Sequence, residues 1–174
     1  MNLAERAMGR FEAFWARTFQ PRIDAIPIPT QDRIVGGALF LPTATVLTIA
    51  TQLSPSPSGY GTHLQLGLGS CSFLRLFGIP CPMCGMTTTF AHLAHLHLWA
   101  GTVNQPFGLV LFLLTVAGLV VGGLELASPR GRWRSILGWI GRHENAVAAF
   151  LLGGLIAGWS YKIALMAGFV RIRP

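Results

Sequence analysis

The chain has 174 residues, about one domain's worth, of which 52% are hydrophobic and only 11% charged. Soluble domains carry about 25% charged residues, so this composition excludes a chain solvated by water alone. The net charge of +7 comes from basic residues in short segments beside apolar runs, as in the loops of membrane proteins, which argues against nucleic acid as a partner.

Residues 1–20 place Leu3, Ala7, Met8, Phe11, Phe14, Trp15 and Phe19 near a helical spacing, with Arg6, Arg10 and Arg17 between them. This pattern predicts a basic amphipathic helix suited to an anionic headgroup layer. Residues 21–33 hold Pro21, Pro27 and Pro29 and read as a linker, because proline lacks a donor and biases its predecessor towards extended backbone. Together these form a cytoplasmic segment, 1–33, ahead of a membrane domain, 34–174.

Residues 34–53 carry no charge and at about 1.5 Å per residue match a hydrocarbon core of about 30 Å. This is the expected first span, with a kink at Pro42 and with Thr43, Thr45, Thr48 and Thr51 able to bond back to helical carbonyls or to neighbouring helices. Residues 106–126 form the second, with Pro106 in a first turn that tolerates it and Asn104 as a cap. Residues 146–170 form the third. Gly118 with Gly122, and Gly154 with Gly158, give small-residue faces that allow close helix approach. Between these spans, Trp133, Ile136, Leu137 and Ile140 alternate with arginines and predict a second interfacial helix. Lys162 lies inside the third apolar run, where an ion is costly; snorkelling towards the interface beside Trp159 and Tyr161 accounts for it.

Five arginines precede the first span and four lie between the second and third, whereas residues 61–99 hold Arg75 alone. The positive-inside rule then places the N-terminus and residues 127–145 in the cytoplasm. Arg171 and Arg173 run against that rule. A fourth crossing by residues 85–104 would reverse the basic loop, so this stretch reads as an interfacial or re-entrant helix. The expected fold is an all-α integral membrane protein with three spans and a Cys/His-bearing outer segment, 60–104.

That segment contains all three cysteines, Cys71, Cys81 and Cys84, and four of the five histidines. Cys81 and Cys84 open a helical stretch, where backbone N–H groups stabilise thiolates. The pair can share a tetrahedral metal or close a redox disulfide. Cys71 and His63 could complete a Cys-Cys-Cys-His site for zinc or another thiophilic metal, with His92 and His95 as alternative ligands. His97 falls on a different face from His92 and His95, so one helix is not expected to supply three histidine ligands. Buried, inert thiols are the third reading. No acidic residue lies in the segment, which argues against most hydrolytic schemes.

The run Gly78-Ile79-Pro80-Cys81-Pro82-Met83-Cys84-Gly85-Met86-Thr87, with Cys71 upstream and Asn104 opening the next span, resembles a family of small bacterial integral membrane proteins catalogued as domain of unknown function twenty-seven fifty-two. Two positions depart from its pattern: Thr88 stands where many members have arginine, and Gln105 interrupts an Asn-Pro pair. The resemblance implies a helical protein of the bacterial inner membrane and brings no catalytic residue list.

The expected function is therefore a non-enzymatic structural or complex-forming membrane component with a local Cys/His site, in contact with the lipid bilayer and with other membrane helices or a protein complex. The alternatives are a membrane thiol–disulfide oxidoreductase, with Cys81 or Cys84 attacking and Cys71 resolving, and a small transporter or channel.

Overall fold

The structure, a computed structural model, describes residues 8, 9, 11, 14 and 27–168. The described elements are helical and include no strand: α1 (Ile28–Gln52), a 3-10 turn (Thr62–Leu66), α2 (Ser72–Phe77), α3 (Met86–Ala94), α4 (Leu98–Asn104), α5 (Pro106–Ala127), α6 (Arg132–Arg142) and α7 (Glu144–Met166). Three of them, α1, α5 and α7, are long and apolar enough to cross a membrane. Little of each is buried inside the protein, so most of their apolar surface is left for lipid. The basic helix expected over residues 1–20 lies outside the described residues except for Met8, Gly9, Phe11 and Phe14, which are helical. Arg171 and Arg173 also lie outside.

The first span begins earlier than its apolar run suggests. Pro27 is the N-cap of α1 and Pro29 sits in its first turn, where the missing N–H is one that a helix start leaves unpaired anyway. The linker read over residues 21–33 therefore gives way to helix from Ile28. This draws Asp32 into α1, where it is buried and accepts hydrogen bonds from Trp133 Nε1 at 2.9 Å and Arg134 at 2.7 Å. Three of the threonines behave as expected: Thr43, Thr45 and Thr51 donate to the carbonyls of Leu39, Leu41 and Thr48.

The principal packing is α1 against α5. Small residues allow it: a side chain at Gly122 would lie 2.7 Å from Phe40 N and 2.9 Å from Gly36 O. On the other side of α5, the ring of Phe107 fills the groove that Gly154 and Gly158 leave on α7. Both small-residue pairs read from the sequence are thus at helix contacts. Beyond Ala127, the Glu125 carboxylate accepts the N–H groups of Arg130, Gly131 and Arg132 at 2.9, 3.1 and 2.6 Å. That folds the chain sharply into α6, which buries none of its residues.

Residues 53–105 form a block at the end of the bundle where α1 stops and α5 starts. Its helices are short, with nine residues in α3 and seven in α4. At about 1.5 Å per residue neither approaches the thickness of a membrane, so the second apolar stretch does not form a fourth span. The break falls at His95–His97, with Leu96 in the left-handed region at φ 62°.

The close approach at Gly122 gives a direct test. Gly122→Ala is expected to destabilise the detergent-purified protein by about 1–3 kcal/mol through overpacking. Gly123→Ala, whose nearest neighbour would be 3.5 Å away, is expected to be tolerated. Thermal unfolding of the two variants, read by circular dichroism, distinguishes them.

Candidate functional site: a thiol pocket held by α7

Two loops and two short elements assemble the site. The 3-10 turn starts after Gly61 and carries His63. Cys71 is the N-cap of α2. The chain reverses at Gly78, passes through the turn 81–84, where Cys84 N–H donates to Cys81 O at 2.9 Å, and enters α3 at its N-cap, Gly85. His63, Cys71, Cys81 and Cys84 line one open pocket of about 240 Å³ with Met83 and Thr88. The constellation read from spacing is therefore brought together. All three cysteines are free; Cys84 is buried, and Cys71 and Cys81 are partly exposed.

Thr88 fixes the pocket's far wall. Its hydroxyl shares a buried 2.8 Å hydrogen bond with Thr62, which also accepts Ser56 N–H at 3.0 Å. This neutral hydroxyl pair ties the His63-bearing turn to α3.

The third span supplies the clamp. Lys162 is 1% exposed, so its ammonium ends among protein oxygens and not in water, which differs from the snorkelling expectation. Its Nζ donates to Gly59 O at 2.9 Å, Asn104 Oδ1 at 2.7 Å and Asn104 O at 3.3 Å. Three acceptors around one nitrogen match the three donors of an ammonium. Asn104 is not the cap of α5: that place belongs to Gln105, without a side-chain bond. Asn104 ends α4 and turns inward instead, donating to Gly85 O at 3.0 Å and Thr89 Oγ1 at 2.9 Å. Trp159 Nε1 donates to Pro80 O at 2.7 Å, and Tyr161 OH to Val103 O at 2.6 Å. Three side chains of α7 thus hold the segments on both sides of the cysteine turn. No spacing rule pointed to this role; the signal was a lysine in an apolar run.

Gly59 and Gly85 make this convergence possible. Both have positive φ, +75° and +85°, and a side chain at Gly85 would meet Gly59 O at 2.7 Å and Lys162 Nζ at 2.9 Å. Any other residue would be strained there and would push the lysine off the loop.

The thiols differ in acidity. Cys71 is lowered below the ordinary thiol value, first by the Leu74 backbone N–H and then, against some burial, by the Cys81 thiol and further N–H groups. Burial, with Cys71 adding to it, pushes Cys81 up to about 11. Burial also raises Cys84, although the Lys162 charge opposes it. Cys71 and Cys81 thus shift each other's acidity in opposite directions.

The remaining histidines lie elsewhere. His92, His95 and His97 are gathered by the break after α3, with ring centroids 5.9 Å apart for His92–His97 and 6.2 Å for His95–His97. The separation of His97 from the other two assumed a continuous helix, which the left-handed Leu96 interrupts. Neither His92 nor His95 lines the thiol pocket. Among the described residues, no three His, Cys, Asp or Glu side chains converge in an arrangement that could hold a metal ion.

Residues 71–119 match the model of the family described as "Protein of unknown function (DUF2752)", the family that the central box resembles. The match runs from Cys71 into α5 and so includes all three cysteines and Asn104. No curated protein and no solved structure matches the chain.

Because the thiolate is the reactive form, alkylation at each cysteine rises with pH through that cysteine's pKa. Near pH 8 only about one Cys81 in a thousand is a thiolate if its pKa is about 11. Alkylation by iodoacetamide, mapped by mass spectrometry, is expected to modify Cys71 first, with a midpoint below the ordinary thiol range and well below that of Cys81. Equal midpoints would contradict the assigned environments.

Proposed function

We propose that this protein is a multi-pass component of the bacterial inner membrane whose pocket exchanges thiols with disulfides on the face opposite the N-terminus. One observation carries the reading: Cys71 and Cys81, from separate turns, line one open pocket. The orientation rests on the arginine asymmetry, with residues 127–145 cytoplasmic. The apolar flanks of α1, α5 and α7 suit a protein that works within lipid and beside other membrane helices.

The roles differ from those expected from spacing. The more acidic and more accessible Cys71 is the attacking group. Its thiolate attacks one sulfur of a partner disulfide, the S–S bond breaks, and the departing partner thiolate takes a proton. Cys81 then gives up its proton and attacks the Cys71 sulfur of the mixed disulfide, releasing the second partner thiol. Two electrons and two protons pass to the partner, and the protein is left with a Cys71–Cys81 disulfide. Cys84, buried and raised, stays a thiol and packs behind the pair.

Zinc fits the donor types of His63, Cys71, Cys81 and Cys84 but not their arrangement, since no three of them converge as metal ligands do. The metal reading therefore has weaker support than the exchange reading.

The test combines oxidation with elemental analysis. Equilibration of purified protein in glutathione redox buffers is expected to give a Cys71–Cys81 disulfide with Cys84 reduced, and Cys71→Ser is expected to abolish exchange. Stoichiometric metal in the wild type that is lost in Cys81→Ser and Cys84→Ser would sink the exchange reading. Membrane-impermeant maleimide is expected to label Cys71 in spheroplasts without lysis; labelling only after lysis would reverse the proposed orientation.

A further inference from the structure

A second cleft adjoins the Lys162 clamp and shares no lining residue with the thiol pocket. It has a volume of about 610 Å³, within the range of roughly 300–1,000 Å³ common for small-molecule sites. Its lining is amphipathic, with Ser56, Tyr60, His92 and Lys162 beside the apolar Trp99 and Leu165. His92 Nδ1 is buried there without a hydrogen-bond partner.

The electrostatics of this wall are unbalanced. Lys162 is held by three neutral oxygens, which satisfy its donors, and no carboxylate of the described residues pairs with its charge. A buried ion without a counter-charge is costly. The acidic residues among those described are Asp32, Glu125 and Glu144. Asp32 and Glu125 are engaged with Arg134 and Arg132 at the opposite end. Glu144 opens α7, eighteen residues before Lys162, or about 27 Å along the helix. Cys84 feels the lysine's charge but is kept protonated by burial.

We propose that this cleft binds an oxyanion, a carboxylate or phosphate group, whose counter-charge is Lys162. Where the anion is the headgroup of an amphiphile, Trp99 and Leu165 accompany the start of its apolar chain. The proposal uses a different wall of the block from the thiol pocket and does not depend on thiol exchange.

Saturation binding of tritiated oleate to the full chain in neutral detergent tests it, with oleyl alcohol and inorganic phosphate as competitors. One saturable oleate site per chain is expected, with oleyl alcohol competing at least tenfold more weakly. Displacement of oleate by phosphate would identify a free oxyanion as the natural source; resistance to phosphate would identify a lipid headgroup. Lys162→Met is expected to weaken binding at least tenfold. Because that variant also removes the clamp, Ala100→Phe provides a second arm, filling the cleft from α4 while leaving the lysine's three hydrogen bonds in place; it is expected to weaken binding similarly. The proposal is overturned if neither oleate nor phosphate binds saturably, if oleyl alcohol competes as well as oleate, or if binding survives both substitutions.

Discussion

The arrangement around the cysteines depends on one buried ammonium. Lys162 gathers Gly59 from the loop after the first span and Asn104 from the end of α4. Asn104 passes the constraint on to Gly85, at the start of the cysteine helix. Removing such a charge from water is expensive, so it stays buried only while its three donors are matched. The loops that supply the oxygens are fixed in return. Two left-handed glycines let the backbones come this close, which couples Gly59 and Gly85 to a lysine far along the chain, 103 residues beyond Gly59.

The two ends of the bundle are stabilised by different chemistry. At the basic end, Asp32 and Glu125 are buried carboxylates met by arginine side chains, an indole N–H and a turn of backbone N–H groups. At the cysteine end the hydrogen bonds of Thr62, Thr88, Asn104, Trp159 and Tyr161 run between neutral groups or to Lys162. Burial raises the Cys81 and Cys84 thiols, against the Lys162 charge at Cys84, while backbone N–H groups favour the thiolate of Cys71. One fold thereby gives three cysteines within a short stretch unequal reactivities.

Much of this was legible in the residues. Long uncharged runs identify spans because lipid leaves few alternatives to helix, and the CxxC spacing with Cys71 and His63 named the lining of the thiol pocket. Gly122 and Gly154 were readable as contact points because only small residues allow backbones so close. What was not legible depended on tertiary partners. Lys162 reads as a snorkelling side chain until Gly59 and Asn104 are known to surround it. Asn104 reads as a cap by local preference, yet its amide serves bonds to residues fifteen and more positions away. The start of α1 was hidden because a proline that looks like a breaker is well placed in a first turn, and the gathering of His97 with His92 and His95 required a helix break that periodicity does not signal.

The central claim, that Lys162 holds the cysteine turn closed, is tested most directly by the protection of Cys84. Alkylation of Cys84 by a small iodoacetamide probe should be followed at fixed pH in the wild type and in Lys162→Met. The account predicts slow modification in the wild type and at least tenfold faster modification in the variant, with the three spans still helical by circular dichroism. Equal protection of Cys84 in the two proteins would contradict it.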